Sequence, residues 1–127
     1  MSILVCGGAG YIGAHVVRLL RQRGDRVVVV DDLSTSSAAR VGDTPLVRLD
    51  VATDEARSVL PNLMMDEDVT AVIHFSARKQ VGESVARPAW YYQQNIGGMA
   101  NVLAAMEDAG VDQMIFSSSA AVYGIPT

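Results

Sequence analysis

Four glycines fall within one short stretch near the amino terminus, Gly7-Gly8-Ala9-Gly10-Tyr11-Ile12-Gly13. The stretch reads Gly-x-Gly-x-x-Gly from Gly8 and Gly-x-x-Gly-x-x-Gly from Gly7. An apolar run, Ile3 to Cys6, precedes it, and a segment of helical spacing follows. In that context free backbone N–H groups and the positive end of a helix dipole face one space, and the missing side chains let a pyrophosphate come close. A second apolar run ends at Asp31-Asp32, where a carboxylate can accept hydrogen bonds from the hydroxyls of an adenosine ribose. The same carboxylate repels a 2′-phosphate, and Arg26 stands too early in its strand to neutralise one. NAD is therefore expected over NADP. The plainer alternative is an ordinary strand-to-helix turn with Asp31 as a solvated loop acid.

Other reactive side chains fit chemistry less well. His15 and His74 lack metal-ligand spacing and read as structural. Neither Cys6 nor any serine has a histidine partner for nucleophilic attack. Ser117 to Ser119 either line a site or end a strand, since hydroxyls satisfy loose backbone groups. Lys79 and Glu83 are either functional or an exposed pair on a loop.

These residues need a scaffold, and the hydrophobic pattern supplies one. Short β-rich runs (Ile3 to Cys6, Arg26 to Val30, Ala71 to Phe75, Gln113 to Ser117, and a weaker Leu46 to Leu49) alternate with helical segments, the mark of parallel βαβ units. The expected fold is α/β, a Rossmann-type doubly wound parallel sheet stopping after about five strands. A first helix, Tyr11 to Arg23, is expected to bury Ile12, Val16, Leu19 and Leu20 and to end at Gly24. A second lies between Thr53 and Leu63, with Pro61 near its end. A third begins near Pro88, carries Tyr92, Ile96, Met99, Leu103 and Met106 at spacings of four and three, and stops at Gly110. Gly97 and Gly98 inside it cost roughly 1 kcal/mol each relative to alanine. Something must approach the backbone there, and packing on the sheet is the simplest candidate.

Composition narrows the class further. The chain has 127 residues, 50% hydrophobic and 19% charged, with one cysteine and a net charge of -4. That is enough to bury a core and suits one domain, residues 1–127. A single cysteine excludes a disulfide framework and fits a reducing cytoplasm. The apolar start is too short for a signal peptide or a span, so no membrane is expected as a partner. Acids such as Asp66-Glu67-Asp68, with no cationic cluster beyond Arg78-Lys79, argue against nucleic acid.

Three more segments add a family resemblance. His74-Phe75-Ser76-Ala77-Arg78-Lys79-Gln80-Val81-Gly82-Glu83-Ser84, Pro88 to Gly98 with Tyr91-Tyr92 and Asn95, and Phe116-Ser117-Ser118-Ser119-Ala120-Ala121-Val122-Tyr123-Gly124 join the glycine loop. Together they resemble the UDP-glucose 4-epimerases, extended short-chain dehydrogenase/reductases, over nearly the whole chain. The resemblance implies that Gly7, Gly10 and Gly13, with Tyr11 and Ile12 between them, hold the pyrophosphate of NAD. It implies Asp31 and Asp32 at the adenosine ribose and Asp50 with Val51 at the adenine edge. Phe75, Ser76 and Ala77 would line the cleft, Lys79 would reach the nicotinamide ribose, and Gln94 and Ser117 would lie along the cofactor. Ser119 would bridge the sugar 4-OH and the catalytic base. The implied reaction moves a hydride from C4 of a UDP-hexose to NAD and back to the other face of the sugar. A homodimer is implied as well.

The sequence departs from that family in one decisive place. Four residues after Tyr11, Tyr91, Tyr92 and Tyr123 stand His15, Asn95, Ile96 and Thr127, so no Tyr-x-x-x-Lys motif is present. The expectation is an amino-terminal fragment, inactive alone and marginally stable or associating through its last strand. Gln94, where relatives often carry asparagine, is a smaller departure. A sibling 4,6-dehydratase would need an acid and base pair where Ala120 and Ala121 stand. A non-catalytic NAD-binding module would keep the loop and Asp31.

Overall fold

The computed structural model describes residues 2–8, 11–33, 38–75 and 88–116, without the side chains of Tyr11, Ala38 and residues 88–95. The strands β1 (Ser2–Cys6), β2 (Val27–Asp31), β3 (Leu46–Arg48), β4 (Val69–His74) and β5 (Met114–Phe116) form one parallel sheet, in the order β3-β2-β1-β4-β5. The chain builds outward from β1 to β3 and then returns to the other side of β1 for β4 and β5. That reversal leaves a crevice at the carboxyl ends of β1 and β4.

Helices α1 (Tyr11–Gln22), α2 (Asp54–Asp66) and α3 (Pro88–Ala109) connect the strands, with a 3-10 turn at Ala38–Val41. Strand residues alternate between two layers. Val5, Val27 and Val29 face α1, with Val17 and Val41. Leu4, Cys6, Val28, Val30 and Val72 face α2 and α3, packing with Leu60, Met64, Val102 and Met106. With helices on both sides, the valine run of β2 is buried throughout, as its β-branched residues favour.

Three expectations about the helices are corrected. In α1, Ile12 and Leu19 are 55% and 49% exposed, whereas Val17 is buried. Gly13 sits directly on the Gly7–Gly8 backbone, and this close approach sets the rotation of the helix, so Gly13 and Val17 face the sheet. In α3 the same thing happens: Ile96 and Leu103 lie outside, while Gly98, Asn101, Val102 and Ala105 are buried. Only Gly98 is tight there, and its neighbour is the Val51 side chain after β3 rather than the sheet.

Pro61 does not end α2, which continues to Asp66. Proline lacks the N–H for the carbonyl four residues back and costs roughly 3 kcal/mol within a helix. Burial of Leu60, Pro61 and Met64 on both sides of the break offsets that. At the helix start the Thr53 hydroxyl caps Ala56 N–H at 3.4 Å, and Asp54 and Glu55 occupy the first turn.

Candidate functional site

Gly7 ends β1 in the left-handed region, φ 82°, and donates its N–H to the Val30 carbonyl at 2.7 Å. This turns the chain sharply at the crevice, where a side chain at position 7 would be strained. A Cβ on Gly13 would strike the Gly7 carbonyl oxygen, and one on Gly8 would lie 2.8 Å from a Val29 methyl. The first helix thus begins hard against the strand it follows. Its amino-terminal N–H groups are held at the crevice, and the cradle is one that side chains would fill. These residues fit a dinucleotide pyrophosphate. Ile12 of the same loop is exposed, while Gly10 and the Tyr11 side chain lie outside the described residues.

At the end of β2, Asp31 is 7% exposed, and its carboxylate accepts the Leu33 N–H at 2.8 Å. The charge is felt nearby: burial, and then the negative charge of Asp31, push the Cys6 thiol up to about 12. Asp31 follows Val30, which lies in register with Cys6 at the end of β1. Cys6 is fully buried and stays protonated, which removes it as a nucleophile.

Beyond β3 the backbone turns again at Asp50. The Asp50 carboxylate accepts the Ala52 N–H at 2.9 Å, and its carbonyl accepts the Thr53 hydroxyl at 2.8 Å. Val51 is buried against Gly98. Asp32, Arg48, Leu49, Asp50, Thr53 and Glu55 line an open depression of about 270 Å³. The structure thus brings Asp32 and Asp50 together, although 18 positions separate them. It adds Arg48, which sequence reasoning passed over and which lies in register with Asp31 on the neighbouring strand. Only the strand order places that cation here, since nothing local to Arg48 indicates it.

The buried amide of Asn101, on α3, was also missed. Its Nδ2 donates to the carbonyls of Val51 at 2.8 Å and Thr53 at 2.9 Å. On the other side of β1, Phe75 follows β4 and donates its N–H to the Cys6 carbonyl at 2.6 Å. His74 is buried and stacks on Phe116 of β5, with ring centres 5.6 Å apart. Ser76, Ala77, Lys79, Ser117, Ser119 and the side chain of Gln94 lie outside the described residues. No helix among the described residues is long and apolar enough to cross a membrane.

The sequence model of the NAD dependent epimerase/dehydratase family matches residues 3–127. A UDP-glucose 4-epimerase of Erwinia amylovora is 46% identical over 129 residues, which cover 98% of this chain and 38% of that protein. One from Klebsiella pneumoniae is 43% identical over 132 residues, covering 98% of this chain and 93% of that protein. Among solved structures, UDP-glucose 4-epimerase from Brucella ovis in complex with NAD is 41% identical at a TM-score of 0.90, covering 99% of this chain and 38% of that one. The enzyme from Stenotrophomonas maltophila, with bound NAD and formylated UDP-arabinopyranose, is 43% identical at a TM-score of 0.89, covering 99% and 39%. The chain spans a little over a third of the length of most of these relatives.

Proposed function

The chain belongs to the NAD dependent epimerase/dehydratase family, and from that premise we propose that it binds NAD and serves the C4 epimerisation of a UDP-hexose. The observation that carries this reading is the strand, glycine turn and helix start at the sheet's reversal, with Asp31 buried at the end of the next strand. In this reading Gly7, Gly10 and Gly13 receive the pyrophosphate, Asp31 and Asp32 the adenosine ribose, and Asp50 and Val51 the adenine edge. Phe75, Ser76 and Ala77 line the cofactor cleft, Lys79 reaches the nicotinamide ribose, and Gln94 and Ser117 lie along the cofactor.

Bound NAD would supply the hydride acceptor for C4 of the sugar. Ser119 orients the 4-OH and relays its proton, because an aliphatic hydroxyl does not ionise near neutral pH. None of the four tyrosines has a lysine four positions on to lower its pKa, so in this reading none of them is the base. The chain alone is accordingly expected to leave UDP-galactose unchanged in the presence of NAD. UDP-glucose formation above background would overturn the placement of the base. The expected homodimer would cover Ile96 and Leu103, which are 49% and 48% exposed.

Titration of NAD into the Asp31→Ala chain tests the cofactor assignment. Loss of a charge-assisted hydrogen bond to the ribose should weaken binding by about 1.5 to 3 kcal/mol. Unchanged affinity would sink the role of Asp31.

A further inference from the structure

Asn101 reaches across from α3 to the turn that follows β3, 50 positions earlier in the chain. Only the NH2 end of its amide can face two carbonyl oxygens, so the contacts at 2.8 and 2.9 Å also fix which way the amide points. The Val51 carbonyl it holds belongs to the same planar peptide as the Ala52 N–H. In a trans peptide these two groups point in opposite directions. The Ala52 N–H in turn donates to the Asp50 carboxylate at 2.9 Å. One peptide unit therefore links the buried amide to the carboxylate lining the depression. Gly98 lets α3 come this close, since its Cβ would lie 3.0 Å from a Val51 methyl.

We propose that Asn101 is a positioning residue for recognition of the adenine ring: through the Val51–Ala52 peptide it holds the Asp50 carboxylate in the orientation that accepts the adenine 6-amino group. Hydrogen bonds in series polarise one another, so the donor on the carbonyl side also strengthens the N–H that fixes the carboxylate. The proposal rests on the NAD reading above and adds a residue and a specificity to it. A carboxylate can accept from an amino group but not from a keto oxygen. The discriminating ligand is therefore nicotinamide hypoxanthine dinucleotide, which carries a keto oxygen in place of the 6-amino group and a hydrogen on N1, so the Asp50→Ala background is what isolates the carboxylate's share of the preference.

The test is calorimetric titration of the full 127-residue chain with NAD and with the hypoxanthine analogue, for wild type, Asn101→Leu, Asn101→Ser and Asp50→Ala. Asn101→Ser keeps the chain folded if leucine does not, because it leaves room for water at the two carbonyls. Wild type should prefer NAD by about tenfold, the worth of one hydrogen bond to a charged group. Asn101→Ser should lose most of that preference while binding the analogue as before, and should add little in an Asp50→Ala background. A general loosening of the fold would weaken both ligands equally and overturn the proposal. So would a preference that survives in Asn101→Ser, or a wild type that binds both ligands alike. A wild-type chain that binds neither ligand overturns the NAD reading itself, and this inference with it.

Discussion

Two turns at the carboxyl edge of the sheet are built in opposite ways. The turn from Gly7 to Gly13 is shaped by absent side chains: Gly13 rests on the Gly7–Gly8 backbone, and Gly8 fits between Val29 and Val17. The turn from Asp50 to Thr53 is shaped by polar side chains, with Asp50, Thr53 and Asn101 each closing a hydrogen bond on nearby backbone. At Gly13 the first tolerates no added atom, because the neighbours there are backbone and cannot move aside. The second should lose its pieces one at a time, since each hydrogen bond has a net worth of only about 1 kcal/mol.

Gly13→Val probes that contrast hardest. Its new side chain would strike the Gly7 carbonyl, so the helix must lift off the strand, and a loss of about 3 kcal/mol is expected in the urea midpoint. A variant as stable as wild type would mean that the glycine turn yields as readily as the polar one.

The next probe lies under the glycine turn. Cys6 has its thiol raised from 9.0 to about 12 by burial and by Asp31. Below pH 9 both folded and unfolded chains hold the proton, and the stability is fully present. Between 9.0 and about 12 the unfolded chain releases the proton and the folded chain keeps it, so stability should fall as pH rises, by about 1.4 kcal/mol per unit. Urea midpoints for wild type and Cys6→Ala at pH 8 and 10 should diverge by an amount of that order. Parallel pH dependence in the two would show that Cys6 reaches water.

At the polar turn, Thr53→Ala removes both the helix cap and the hydroxyl on the Asp50 carbonyl, and about 1 kcal/mol should go. A loss as large as that of Gly13→Val would erase the distinction between the turns. The smallest effect belongs to Arg21, which ties α1 to Asp43 and Thr44 at 2.6 and 2.9 Å. The Arg21 hydrogen bond and its charge hold the Asp43 carboxyl below the usual range, yet Asp43 is 88% exposed. Arg21→Ala should leave the urea midpoint almost unchanged, because an exposed ion pair is screened by water. A larger shift would make this surface tie a third structural anchor of the site.

The strand pattern, the glycine loop and Asp31 were legible because each depends on residues close together in the chain. Continuous valine runs announce strands covered on both faces, and glycine spacing announces a backbone approach. The faces of α1 and α3 were not legible in the same way. Ile12, Leu19, Ile96 and Leu103 fit an apolar stripe by period, yet a contact with backbone at Gly13 and one with the Val51 side chain at Gly98 turned them outward. Close packing is short-ranged and steep, so a single contact fixes a helix's rotation more firmly than several interchangeable apolar residues can.

What the sequence determined by itself was the α/β plan, the close glycine turn after β1 and the carboxylate at the end of β2. These follow from local conformational freedom and from the periodicity of burial. Only the tertiary structure decided that Arg48 stands in register with Asp31, and that Asn101 holds the Asp50 turn from 50 positions away. Both depend on which strands and helices become neighbours. A lone polar residue in an apolar helix carries no mark of its partner, because the free energy that keeps it there belongs to two carbonyl groups contributed by another element.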